Sequence, residues 1–175
     1  MALQSLLRLS WGVGMPPRAG HDVFLSHRRI DTRRTVAALL HDRLTRLGLT
    51  AFLDSKSMIP GDRLLERIDA GILDCRVGVA IFSPRYCDSY YCLHELALMM
   101  EARKKVIPIF CNVKPAQLRV SESVICSIDE ARRFDKALDE AKNIVGITFD
   151  SMKEDWLELL KSASDVIMQE FGRGS

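Results

Sequence analysis

The sequence predicts one doubly wound α/β domain, in which a mostly parallel sheet carries helices on both faces. Short apolar runs alternate with longer amphipathic ones along the chain, and this alternation is typical of β-α-β units. Each apolar run is bounded by turn residues, as expected for strands that helices cover on both sides. A chain of 175 residues is long enough to bury one substantial core.

The five predicted strands are short apolar runs. In chain order they are Asp22–Ser26, Leu49–Leu53, Val77–Phe82, Val106–Phe110 and Ile144–Thr148. The fourth run contains Pro108, which has no backbone N–H for a sheet ladder. This proline therefore favours a position near the edge of the sheet.

Helices are predicted between these runs from apolar residues at helical spacing and from capping residues. The first begins at Asp31 or Thr32, either of which can cap it, and ends at Gly48. The second follows a loop over 54–61 and is capped by Asp62. The remaining helices are the one after the third strand, Ala131–Ala141, and an amphipathic closing helix between Trp156 and Ile167.

Composition and charge restrict the class of function. The formal net charge is only +2, so the composition gives no sign of the strongly basic surface that is typical of nucleic-acid-binding proteins. The five cysteines are Cys75, Cys87, Cys92, Cys111 and Cys126. Their number is odd, they show no CxxC pair or metal-like spacing, and most lie in or beside apolar runs. We therefore expect free buried thiols, no metal, and a cytoplasmic protein, with a nuclear location left open.

Residues 1–20 differ from the rest and are expected to form a flexible leader ahead of a domain over 21–172. They contain two arginines, no acidic residue and several leucines around Trp11. The apolar part is too short and too interrupted to span a bilayer, so no stable membrane insertion is expected. An organelle transit segment and a membrane-surface helix are the alternatives to a disordered leader.

The helix after the third strand carries the most informative pair of side chains. Tyr91 and Glu95 are one turn apart, so an aromatic ring and a carboxylate share one helical face. Glu95 follows the carboxyl end of a central strand, where open α/β sheets bind ligands. The alternative is purely structural, with a solvated Glu95 beside a packed Tyr91.

Six short motifs follow one another along the chain. They are His21–His27, Asp31–Arg33, Ile81–Tyr86, Tyr91–Leu96, Val106–Phe110 and Val113–Pro115. In this order and spacing they resemble successive motifs of the plant TIR (Toll/interleukin-1 receptor) domain. The resemblance runs from about His21 to Phe171, and the chain is similar to the TIR-only class of plant proteins. It implies a flavodoxin-like, five-stranded parallel sheet with helices on both faces.

The resemblance also implies an NAD+ glycohydrolase whose products signal in plant innate immunity and cell death. It makes Glu95 the catalytic residue, and it assigns substrate binding to Arg28, Arg29, Ile30, Asp31, Met58, Gly61, Ser83 and Tyr91. NAD+ is then a substrate rather than a cofactor, and no metal is required. Other TIR domains are expected partners through self-association.

This chemistry needs few catalytic groups. Nicotinamide leaves NAD+ as a neutral ring, so no general acid has to protonate it. The Glu95 carboxylate can stabilise an oxocarbenium-like ribose electrostatically or through the ribose hydroxyls. Arg28 or Arg29 can hold the pyrophosphate, and the alternative is two solvated loop arginines. Release of ADP-ribose in linear or cyclised form stays open.

The chain departs from the family pattern at several positions. His27 and Arg29 stand where Phe and Gly are usual, which predicts a more basic loop after the first strand. Tyr91 replaces the usual Trp and keeps a smaller stacking ring. Ala38-Leu39 replaces a Ser-His pair on a self-association face, so only an apolar contact could substitute there.

Two other functions fit parts of the sequence. A non-catalytic TIR adaptor would act only by homotypic TIR–TIR interaction, but it needs neither Glu95 nor the preceding aromatic ring. A receiver-like phosphoacceptor domain needs an acidic cluster after the first strand. This chain has Ser26-His27-Arg28 there, so the receiver-like function is excluded. The resemblance to plant TIR proteins leaves a nucleic-acid partner open, with Cys92 beside the site in a nucleophilic role, although a buried apolar role is favoured for this thiol.

Overall fold

The sheet is parallel throughout and has the strand order β2-β1-β3-β4-β5. The computed structural model describes residues 20–53, 60–61 and 63–172, so residues 1–19 of the expected leader lie outside it. Within these residues five strands form one sheet. They are β1 Val23–His27, β2 Ala51–Phe52, β3 Val77–Phe82, β4 Lys105–Cys111 and β5 Ile147–Phe149. The order confirms the predicted doubly wound sheet.

Helices pack on both faces of the sheet, as predicted. Their bounds are α1 Arg29–Thr32, α2 Val36–Arg46, α3 Leu64–Asp74, α4 Tyr90–Glu101, α5 Ile128–Lys142 and α6 Trp156–Gly172. Side chains of α3, α4 and α5 pack on one face, and those of α2 and α6 pack on the other. β3 supplies both layers, because Ala80 and Phe82 face the first while Val79 and Ile81 face the second.

The first helical segment begins earlier than predicted. The chain turns into α1 at Arg29, so Asp31 and Thr32 lie inside that helix, and α2 starts after Thr35. The prediction that Asp31 or Thr32 is the N-cap is therefore wrong. The predicted end at Gly48 is confirmed, since its φ of 86° lies in the left-handed region that glycine favours after a helix.

The start of a later helix also departs from the predicted bounds. α5 begins at Ile128 rather than Ala131 because Ser127 and Glu130 form a capping box. Ser127 Oγ accepts the Glu130 N–H at 3.1 Å, and Glu130 Oε2 accepts the Ser127 N–H at 3.0 Å. α3 begins after Arg63, and the predicted cap Asp62 lies outside the described residues.

Pro108 lies one strand inside the sheet edge, in agreement with the prediction. β4 pairs with the edge strand β5 only from Ile109 onward. Pro108 lies before this pairing begins, so its missing N–H costs no hydrogen bond to β5. β5 starts later than predicted, after Gly146. The backbone there passes so close to β4 that a Cβ on Gly146 would lie 2.7 Å from the Pro108 carbonyl oxygen.

The strand order creates a switch point between β1 and β3. From β1 the chain goes on to β2 on one side, and from β3 it goes on to β4 on the other. The segments that follow these two strands therefore diverge at their carboxyl ends and leave a crevice between them. His27 ends β1 and Phe82 ends β3, so α1 and the turn before α4 flank this crevice.

Candidate active site

Glu95 lies on the buried side of α4, the helix that follows β3. Ser89 caps this helix by accepting a hydrogen bond from the Cys92 N–H at 3.3 Å. Only 8% of Glu95 is exposed, whereas Tyr91, one turn earlier, is 44% exposed. The alternative of a solvated Glu95 beside a packed Tyr91 is therefore wrong, because the burial of both side chains is reversed.

A chain of hydrogen bonds holds the Glu95 carboxylate from the sheet. Ser26 Oγ donates to Glu95 Oε2 at 2.6 Å and lies 2.7 Å from the Tyr86 hydroxyl, which also lies 3.1 Å from the Cys92 carbonyl oxygen. Ser26 and Tyr86 are fully buried. Burial, followed by the nearby Cys92 and Glu95, raises the pKa of Tyr86 well above its ordinary value.

The sequence interpretation missed Ser26 and Tyr86 as site residues. The available signal was a serine in an otherwise apolar strand, since a buried hydroxyl needs a polar partner. The partner itself could not be read from the pattern, because Ser26 and Glu95 are separated by 69 residues along the chain.

His27 and Cys92 are buried beside the carboxyl end of β1. His27 Nδ1 lies 2.9 Å from Thr32 Oγ1, and the Thr32 hydroxyl donates to the Arg28 carbonyl oxygen at 3.2 Å. Cys92 Sγ donates to the His27 carbonyl oxygen at 3.4 Å. His27 thus packs against α1, and the prediction of a more basic loop surface holds for the exposed Arg29 but not for His27.

Asp31 fixes α1 to the segment after β3. Its Oδ2 accepts hydrogen bonds from Ser83 Oγ at 2.6 Å and from the Arg85 N–H at 2.9 Å. Ser83 is buried, and the Asp31 side chain is 14% exposed. Two of the predicted substrate-binding residues therefore bind each other across the switch point, and the bond positions α1 next to the crevice.

Arginine side chains surround an open cavity of about 730 Å³ beside α1. Its described lining consists of Arg28, Arg29, Ile30, Asp31, Arg33, Arg34 and Thr35. Asp31 is the one carboxylate in this lining, and Ser83 and Arg85 already engage it. Four guanidinium groups give the cavity a positive potential that suits a phosphate group. Ile30 is 62% exposed and adds an apolar contact.

The remaining predicted binding residues belong to the loop over 54–61. Gly61 has a φ of 102°, a backbone conformation that glycine adopts without strain. Met58 lies outside the described residues, so its role in binding stays a prediction.

His94, next to Glu95 in sequence, takes part in a polar network on the other side of α4. Its Nε2 lies 2.7 Å from Asp69 Oδ1 on α3, and its Nδ1 lies 3.0 Å from Arg133 Nη1 on α5. Arg133 also pairs with Glu101 on α4, with Nη2 donating to Oε2 at 3.2 Å. His94 is therefore bound by α3 and α5, whereas Glu95 bonds Ser26 on the sheet side of α4.

Two kinds of site are absent from the part of the chain that the structure describes. No group of three or more His, Cys, Asp and Glu side chains is arranged there to hold a metal ion. No helix in the same residues has both the length and the apolar character needed to cross a membrane.

A family model for the TIR domain matches residues 23–145 of this chain. The chain belongs to the TIR domain family. Over 152 residues this TIR domain is 53% identical to the probable 2′ cyclic ADP-D-ribose synthase BdTIR of Brachypodium distachyon, covering 85% of this chain and 68% of that protein. Over 145 residues it is 32% identical to TMV resistance protein N of Nicotiana glutinosa, covering 74% of this chain and 13% of that protein.

Solved TIR domain structures share this fold. The TIR domains of the activated Roq1 resistosome, which directly recognises the pathogen effector XopQ, match with a TM-score of 0.73 at 28% identity, over 84% of this chain and 99% of that chain. The TIR domain of the Toll-related receptor TRR-2 from Hydra magnipapillata matches with a TM-score of 0.54 at 18% identity, over 87% of this chain and 96% of that chain. The flavodoxin-like fold implied by the motifs is confirmed.

Ala38 and Leu39, which depart from the family pattern at the predicted self-association face, lie on α2. Leu39 on α2 is 43% exposed, and Leu157 on α6 is 73% exposed. The two helices are joined by the bond from Arg43 Nε to Ser164 Oγ at 2.7 Å. An apolar self-association contact at this face stays a prediction.

Proposed function

We propose that this TIR domain is an NAD+ glycohydrolase that cleaves the nicotinamide–ribose bond. The observation that carries the proposal is the buried Glu95 carboxylate, which Ser26 holds beside the switch point of the sheet. An enclosed carboxylate acts on a developing positive charge more strongly than a solvated one, because water screens it less. The 53% identity to BdTIR, a probable 2′ cyclic ADP-D-ribose synthase, supports the same class of reaction.

Cleavage moves one electron pair. The bond between the ribose C1 and the nicotinamide ring nitrogen breaks, the pair stays on that nitrogen, and nicotinamide leaves as a neutral molecule. The negative charge of Glu95 stabilises the oxocarbenium-like ribose that remains. An oxygen then bonds to C1 and loses its proton. Water gives linear ADP-ribose, while the 2′-hydroxyl of the adenosine ribose gives a cyclic product, which the name of BdTIR favours for this chain.

The remaining predicted residues hold NAD+ for this step. Arg28 and Arg29 bind the pyrophosphate from the arginine-lined cavity, and Ile30 adds an apolar contact. Asp31 and Ser83 keep α1 in place beside the crevice. Tyr91 stacks on a ring of the substrate, and Gly61 and Met58 bind the substrate from the loop over 54–61. No metal takes part.

Replacement of Glu95 tests the proposal. Glu95→Gln keeps the shape of the side chain and removes its charge, so we expect nicotinamide release to fall about 10²- to 10³-fold. Glu140→Gln is the control, because it removes an exposed carboxylate from the neighbouring helix α5. Nicotinamide and ADP-ribose products are separated by chromatography at matched protein concentration. Release at the parent rate in Glu95→Gln, or no release in the parent, contradicts the proposal.

The proposal includes self-association with other TIR domains, and signalling in plant immunity and cell death from the cytoplasm. The likeness to the TIR domains of a resistosome and to a plant resistance protein supports it. On dilution, we expect specific activity to fall as sedimentation shifts toward monomer. Flat specific activity with only monomer present contradicts assembly. The adaptor function is not favoured, because an adaptor needs no buried carboxylate at the crevice.

A further inference from the structure

We propose that Tyr86 and Ser26 form a one-directional hydrogen-bond relay that positions the Glu95 carboxylate for cleavage of NAD+. The inference rests on the proposed function, since it assigns positioning roles to two residues behind the same carboxylate. Neither residue touches the substrate. Tyr86 acts through Ser26, and Ser26 acts through Glu95.

Counting protons gives the direction of the relay. A serine hydroxyl has one proton, and Ser26 donates it to Glu95 Oε2 at 2.6 Å. The contact of 2.7 Å between Ser26 Oγ and the Tyr86 hydroxyl is then a bond that Tyr86 donates and Ser26 accepts. The Cys92 carbonyl oxygen, at 3.1 Å from the Tyr86 hydroxyl, is the longer second acceptor of the same proton.

The surroundings of both hydroxyls favour a fixed relay. Ser26 and Tyr86 are completely buried, so no solvent competes for their bonds. Burial raises the pKa of Tyr86 well above its ordinary value, which keeps the hydroxyl protonated and able to donate. The Tyr86 ring packs edge-on against Phe82 with centroids 4.8 Å apart, and Ser26 lies within β1. Each member of the relay is therefore held by a rigid element.

A relay of this kind does two things for the carboxylate. The donated proton of Ser26 stabilises the charged form of Glu95, which is the form that the reaction uses. It also fixes the direction of one carboxylate oxygen, and the pull of Tyr86 on Ser26 strengthens that bond because hydrogen bonds in a chain polarise one another. Both effects act on the chemical step more than on binding of NAD+.

A double-mutant cycle tests the relay. Ser26→Ala removes the bond to Glu95, so we expect kcat to fall roughly 10- to 100-fold, with KM changed by less than about threefold. Tyr86→Phe leaves the bond from Ser26 to Glu95 in place and removes the bond to Ser26 together with the longer one to the Cys92 carbonyl oxygen, so it should lower kcat by about three- to tenfold. In the Ser26→Ala background, Tyr86→Phe should have almost no further effect on kcat, because its path to Glu95 is already broken.

Two matched controls separate positioning from packing. Ser164→Ala removes another fully buried serine hydroxyl, one that bonds Arg43 on the opposite face of the sheet. Tyr90→Phe removes another tyrosine hydroxyl, one that bonds Glu130 at 2.9 Å. Both controls should keep the parent kcat, even where the melting temperature falls. All variants are compared at one protein concentration, with assembly checked by sedimentation.

The outcomes distinguish the relay from the proposed function. If the parent releases no nicotinamide, the function fails and the relay fails with it. If the parent is active and folded Ser26→Ala keeps the parent kcat, only the relay is overturned. Losses from Ser26→Ala and Tyr86→Phe that multiply in the double variant overturn it as well. If Ser26→Ala does not fold, the kcat of Tyr86→Phe becomes the test. A kcat equal to that of the parent in Tyr86→Phe then overturns the relay.

Discussion

Tyr91→Ala isolates the contribution of the aromatic ring that stands in place of the usual tryptophan on α4. The ring is 44% exposed and meets Tyr90 edge-on, with centroids 5.9 Å apart. A side chain this open contributes little to the core, so the alanine variant should melt close to the parent. The ring is therefore available for the substrate, and its loss should appear in catalysis rather than in stability.

The size of the effect follows from the value of a base–aromatic stack. Such a stack contributes roughly 1–3 kcal/mol by alanine substitution. Each 1.4 kcal/mol is about a tenfold change, so kcat/KM of Tyr91→Ala should fall by about one to two orders of magnitude. Tyr91→Trp enlarges the ring on an exposed surface, where there is room for it, and should keep or raise kcat/KM.

The assay follows nicotinamide release over a range of NAD+ concentrations, together with thermal unfolding. Leu73→Ala is the matched control, because Leu73 is also a large, half-exposed apolar side chain on a neighbouring helix, at 54% exposure. It should leave kcat/KM unchanged. A Tyr91→Ala protein that turns over NAD+ like the parent and melts like the parent would refute the stacking role. A large loss of stability would refute the reasoning from exposure.

Three further predictions concern α1 and the thiols. Asp31→Ala removes the acceptor of two hydrogen bonds, so we expect a loss of about 1.5–3 kcal/mol in the free energy of unfolding and a raised KM for NAD+. Asp31→Asn should be intermediate in both quantities. Equal KM values in the parent and the two variants contradict this prediction. Under native conditions one of the five thiols, Cys126, should react rapidly with a thiol reagent, because the other four are buried, and Cys126→Ser should abolish the fast phase. Burial raises the pKa of Cys75 and Cys87 from 9.0 to about 11, and that of Cys111 to about 12, so the unfolded thiols ionise first. Their contribution to stability is complete below pH 9.0 and falls as the pH rises through about 11 for Cys75 and Cys87 and through about 12 for Cys111. Urea titrations of Cys111→Ala should therefore show a smaller loss of stability between pH 9.0 and about 12 than those of the parent.

The sheet and its two helical layers could be predicted because they depend on local patterns. Apolar runs and amphipathic runs alternate, and parallel strands must be covered on both faces. The depth of Glu95 could not be predicted in the same way. Helical periodicity assigns a residue to a face, whereas its burial depends on Ser26, which is 69 residues away in sequence. The pattern therefore places Tyr91 and Glu95 on one helical face, but it does not indicate which of the two side chains is buried.

The cap assigned to Asp31 failed for a related reason. A short polar residue before an apolar helix is a good N-cap by local rules. In the folded chain its carboxylate is instead engaged by Ser83, 52 residues later, and the preceding turn is already helical. A residue at a switch point contacts the segments that follow two different strands. A local sequence pattern covers only one of those segments, so it cannot predict the contact.

The network around His94 has a consequence for the residue that follows it. Asp69 on α3 and Arg133 on α5 bind His94 from two sides. Arg133 also binds Glu101 at the end of α4. These contacts on two sides oppose a roll of α4 about its own axis. With side chains reaching about 5–6 Å from that axis, a roll of about 10° would swing the tip of Glu95 by roughly 1 Å. A misplacement of that size can slow an enzyme on the order of a hundredfold, so we expect loss of the network around His94 to lower nicotinamide release even though none of its members touches Glu95 in the contacts described above.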